Sequence, residues 1–188
     1  MIDYDLRYLA AGLEALEPYL LNSGLYWPPG VEAKAGQPPY PSLTPGSLLL
    51  ALRRAEIRAS ADGSQVEFKR ICDRFYKIKT QWLTAWEKKT AQDFHARLGL
   101  WRNFLEEFRE KPAANLDRYS YEITRRVQLH LLLPEAGDLP AAELQMLSGL
   151  DRKLKAIFRE GDFVWETDLI PAFPKDPFWF LYGMMEVE

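Results

Sequence analysis

The sharpest chemical signal in the chain is Arg125-Arg126-Val127-Gln128-Leu129-His130. A histidine moves protons near neutral pH, and an arginine stabilises a charged phosphorane. On a helix Arg126 and His130 lie one turn apart on the same side. Together they suit proton transfer at a ribose 2′-oxygen or at a leaving oxygen. The neighbours Leu129, Leu131, Leu132 and Leu133 also fit a histidine buried in an apolar seam, and buried histidines are common. A second set is basic: Arg70, Arg74, Lys77, Gln81 and Lys88 recur at helical spacing. Phosphates can lie along such a stripe while Tyr76 or Trp86 offers a stacking face. The bland alternative is a solvated helix face, partly neutralised by the acidic tail folding back. His95 has no second histidine or Glu-x-x-His partner, so metal ligands and cofactors are not expected.

The spacing from Arg125 to His130 resembles the Arg-x4-to-x6-His signature of HEPN-type ribonucleases. The resemblance covers these six positions, with Arg126 where that family usually has a small polar residue. It implies a helical bundle that dimerises to pair two motifs and cleaves RNA without a metal.

These residues need scaffolding, and the stretch from Val66 to Lys111 supplies it. It contains no proline and one glycine, Gly99. Phe68, Ile71, Phe75, Ile78, Trp82 and Ala85 alternate steps of three and four, the seam of an amphipathic helix. Phe94, Leu98, Trp101, Leu105 and Phe108 repeat that pattern in a different register. The spacing predicts one long helix, or two in series. The change of face is expected within Glu87–Asp93, with Thr90 and Asp93 as a capping box. Leu6 to Leu20 predicts a first helix, kinked or ended by Pro18. Thr44-Pro45 opens a second, to about Ser60. Two more are expected over Asn115–Leu132 and Pro140–Arg159, the last closed by Gly161 in a left-handed cap. The fold expected is all-α: a single domain over 1–188, about five helices forming an irregular bundle around one long central helix.

Two segments depart from helical spacing. Residues 22–44 are rich in proline and carry Tyr26, Trp27 and Tyr40. Residues 160–188 form an acidic, aromatic strap with Trp165, Phe178, Trp179 and Tyr182, folded as a hairpin or an extended arm. Stiff segments with aromatic anchors lose little entropy on binding, which suits a protein interface. The net charge of −3 gives no global attraction to nucleic acid. The acidic N-terminus lacks a signal-peptide pattern and no apolar run spans a bilayer, so no membrane is expected and a cytoplasmic location is. Cys72, the only cysteine, excludes an intrachain disulfide. The leading expectation is a non-enzymatic helical protein with a protein partner. A HEPN-like nuclease and a nucleic-acid-binding module are the alternatives, and homodimerisation stays open.

Overall fold

A computed structural model describes residues 2–186 and is mostly helical, as expected. In chain order come α1 (Ile2–Leu21), α2 (Pro45–Asp62), α3 (Gln65–Gln81), α4 (Leu83–Glu110), the single turn α5 (Pro112–Asn115), α6 (Tyr119–Leu132) and α7 (Ala141–Ala156). Strands β1 (Phe158–Phe163) and β2 (Tyr182–Met185) then pair antiparallel. The tail is therefore a two-stranded hairpin with a long excursion, which includes the 3-10 turns Thr167–Ala172 and Trp179–Leu181.

Helix α2 begins as its sequence dictates. Thr44 is extended (φ −147°, ψ 160°) and accepts from the Ser47 amide at 3.2 Å, Pro45 follows, and Gly63 ends the helix at φ 82°. Pro18 does not end α1, which runs on to Leu21. Glu14 and Pro18 both lie on the exposed side of the helix, where water can satisfy the carbonyl that proline leaves without a donor. Gly161 is not a cap either. It lies in β1, and α7 ends earlier, at Ala156.

The long central segment is two helices, and the break falls at Trp82 (φ −116°, ψ 35°) rather than within Glu87–Asp93. Backbone bonding persists across it: Trp82 donates to the Ile78 carbonyl at 3.0 Å and Trp86 donates to that of Trp82 at 2.9 Å. Packing explains the position. Phe75 and Trp86 would sit about 16 Å apart along a straight helix. Their rings instead meet edge-to-face at 5.2 Å, both buried in one core. Thr90 and Asp93, expected at a helix start, are fully buried inside α4.

Two apolar clusters fill the interior. One joins α1, α2, α3 and Trp86. The other joins the second half of α4 with α6, α7 and the tail's Phe173, Phe178, Phe180, Leu181 and Met185. Helix α2 divides them: Leu48 faces the first, Leu50 the second, and Leu49 touches both. The proline-rich arm folds back on α1, where the Tyr4, Tyr8 and Tyr19 hydroxyls donate to the carbonyls of Pro39, Ser42 and Leu25. A lone antiparallel bridge between Trp27 and Leu43 closes the arm's base.

Candidate functional site

Because the chain turns at Trp82, α3 packs on α1 and α2 while α6 packs on α2 and α4. A half-open cleft of about 560 Å³ is left between α3 and α6 at the seam of the two cores. That volume lies within the roughly 300–1,000 Å³ range of small ligand sites. Leu49 and Leu52 of α2 form its floor, Phe68 and Leu131 its sides, and Phe178 with Pro174 and Pro177 its end wall on the tail. Arg53, Glu56, Cys72, Tyr76, His130 and Glu135 supply its polar atoms.

Each polar group has a definite state. The Arg53 Nε donates to the Ala172 carbonyl at 2.9 Å, tying α2 to the tail, and its Nη1 lies 3.7 Å from the solvent-exposed Glu56 carboxylate. Glu135 is committed: it accepts from Trp86 Nε1 at 2.8 Å and pairs with Lys79 at 2.5 Å. Burial, with Glu56 and Asp73 nearby, pushes the Cys72 thiol up and keeps it protonated. The His130 ring packs edge-on to Phe178 at 4.8 Å and makes no hydrogen bond among the described residues. Burial chiefly, then the charges of Arg126 and Arg53, hold its pKa below the usual histidine value, with Asp151 opposing.

A folded histidine that resists protonation makes stability fall once the unfolded chain begins to bind the extra proton. Folding stability is therefore expected to decline as pH drops below about 6.5, where an unperturbed histidine titrates. His130→Gln should flatten this slope, measured as urea midpoints between pH 7.5 and 5.

Comparison with family models, curated proteins and solved structures returns no match. The site is therefore read from its own chemistry. Of the Arg125–His130 set, only His130 lines the cleft. Arg125 pairs with Glu122, one turn back on α6. Arg126, 6% exposed, binds Asp151 of α7 through Nε and Nη2 at 2.7 and 2.8 Å, with its guanidinium 4.6 Å above Phe180. The Arg126 guanidinium thus ties α6 to α7, while that of Arg125 stays on its own helix. His95 stands alone on α4, 2.6 Å from Glu143 of α7.

The basic stripe is solvent-facing along α3 and into α4. Arg70, Arg74, Lys77, Gln81 and Lys88 are all exposed. The face is solvated, as the bland reading expects, but the tail does not fold back on it. Asp168 pairs with Arg58 at 2.8 Å, Glu160 with Lys175 at 2.8 Å and Glu186 with Arg159 at 3.0 Å. These three acids are thus spent on α2 and on the tail itself. Arg74 pairs with Glu14, while Arg70, Lys77 and Lys88 hold no ion pair among the described residues.

The aromatic candidates are mostly fastened to their own chain. Tyr26 is 58% exposed. Trp27 lies half-buried near Tyr19, and Tyr40 sits between Tyr4 and Tyr8. Trp165 donates to the Ser120 carbonyl at 3.1 Å, Phe178 is buried, Trp179 stacks edge-on to Phe158, and the Tyr182 hydroxyl donates to the Phe173 carbonyl at 2.8 Å. Sequence spacing missed Leu52, Arg53 and Glu56, since on α2 they look like an ordinary boundary between apolar and charged faces. No helix among the described residues is long and apolar enough to cross a membrane.

Proposed function

We propose that this chain is a non-catalytic helical interaction protein, and that the cleft between α3 and α6 receives apolar side chains of a protein partner. The observation that carries this reading is the cleft itself: an apolar floor at the junction of two cores, open to solvent. Tyr76 stands on its rim, 57% exposed. A large aromatic beside an apolar recess is the usual composition of an interface hot spot. The aromatic arms play a supporting part, since their rings fix the cleft's end wall and the N-terminal helix and so preorganise the surface.

The test is a photocrosslinking residue placed at Tyr76 and, separately, at Tyr121, which is 73% exposed on α6. Adduct with a defined partner in native cells is expected from position 76, and it should disappear when Leu52→Trp fills the cleft. Equal crosslinking from both positions, or insensitivity to Leu52→Trp, defeats the reading.

A further inference from the structure

The floor of the cleft is apolar, yet two basic side chains enter it with capacity left over. Arg53 uses its Nε on the Ala172 carbonyl, and among the described residues its outer nitrogens meet only Glu56, at 3.7 Å. That pair is loose and largely solvated, so it contributes little and is easily exchanged. The His130 ring nitrogens have no hydrogen-bond partner among the described residues, although the ring lies at the wall beside Phe178. A guanidinium held only by a loose 3.7 Å ion pair, together with a bare imidazole in the same recess, is complementary to an incoming anion. Glu56 already stands where such an anion would compete.

We propose that the cleft recognises a carboxylate that a partner polypeptide presents beside a large apolar side chain, with Arg53 as the anion's anchor and His130 as its second donor. The proposal rests on the cleft being the binding site and adds what it selects. The apolar side chain occupies the space over Leu49, Leu52 and Phe68, and the carboxylate replaces Glu56 at Arg53. The groups facing His130 decide its response to pH. Arg53 and Glu56 lie on α2, Cys72 and Tyr76 on α3, Arg126 and Glu135 on and after α6, and Asp151 on α7. The tail contributes only Pro174, Pro177 and Phe178. In the empty cleft His130 is neutral at pH 7.5. A bound carboxylate favours its protonated form, so binding takes up a proton and tightens as pH falls.

The experiment is an NMR titration of the whole chain, with methyl-labelled leucines, by N-acetyl-leucyl-phenylalanine as the free acid and as its carboxamide. The acid is expected to shift the Leu49, Leu52 and Leu131 methyls saturably and to bind at least about tenfold more tightly than the carboxamide. Glu56→Gln should tighten the acid several-fold and leave the carboxamide unchanged. The acid's affinity should rise from pH 7.5 to 6, and His130→Gln should remove that rise, weakening the acid several-fold at pH 6. Equal binding of acid and carboxamide overturns the carboxylate recognition and leaves the cleft standing as an interaction site. No cleft shift from either compound, with crosslinking from position 76 intact, also overturns it alone. If the crosslink is lost as well, the functional reading falls with it.

Discussion

Asp93→Ala is expected to cost about 3–5 kcal/mol of folding stability, the range for breaking a buried charge pair from one side. Asp93 is 0% exposed, in the first half of α4. Its Oδ2 accepts from the Gly46 amide at 2.7 Å, and its Oδ1 lies 2.8 Å from Arg97 Nε, off the hydrogen-bonding line. Arg97 in turn donates to Thr44 Oγ1 at 2.7 Å and to Gln128 Oε1. One carboxylate therefore caps α2, neutralises α4's own arginine and, through that arginine, reaches α6. Removing it leaves a guanidinium and a helix N-terminal amide in a dry interior. The desolvation already suffered by the remaining groups, rather than the lost attraction, sets the size of the loss. Asp93→Asn keeps an acceptor for Gly46 and should fall between the two. Gly46→Ala attacks the same point sterically, since a Cβ there would sit 2.8 Å from Arg97 Nε and 2.9 Å from Asp93 Oδ2. Urea unfolding at constant m reads each effect. A loss under 1 kcal/mol for Asp93→Ala would show that the network is dispensable.

Asp93 also marks where reading the sequence stops. Periodicity exposed the apolar stripes of α3 and α4 because burial along a helix repeats every 3.6 residues. It put the break among Glu87–Asp93 because those residues are polar, and polar residues usually stay wet. Asp93 and Lys89 are buried nonetheless, with partners far away in sequence: Gly46 for the first and the Gly24 carbonyl for the second. The same blindness hid Asp5, which is 0% exposed and bound by Arg54 at 2.6 Å and Arg58 at 3.0 Å. The cap at Thr44-Pro45 was legible, because its chemistry is local. The cleft was not. It exists because Trp82 turns one helix away from another, and its wall comes from prolines more than a hundred residues from its floor. Tyr76, His130 and Phe178 were singled out beforehand but for separate roles, His130 for a reaction whose arginine the fold commits to Asp151.

Gly183→Ala should cost more than about 3 kcal/mol and open the cleft at the same time. Gly183 pairs with Glu160 across the hairpin at φ 146°, a backbone state almost closed to residues with a Cβ. A Cβ there would lie 2.1 Å from the Arg159 carbonyl oxygen and 2.8 Å from the Phe158 ring. The backbone oxygen cannot swing aside as a side-chain tip would, so the strands must part. Parting them frees the excursion between β1 and β2, which carries Pro174, Pro177 and Phe178, the end wall of the cleft. Cys72 lines that cleft, half-buried, and reports on the wall. Its reaction with a bulky aromatic disulfide should quicken at least tenfold in Gly183→Ala, under conditions where far-ultraviolet circular dichroism still shows the helices. Gly161→Ala is the matched control. It sits on the partner strand, its Cβ would meet the Gly183 Cα at an ordinary 3.7 Å, and its φ is not in the positive region. That variant should change stability by less than about 1 kcal/mol. If the two variants behave alike, the hairpin does not hold the wall, and the cleft's shape rests instead on the bond from Arg53 to the Ala172 carbonyl.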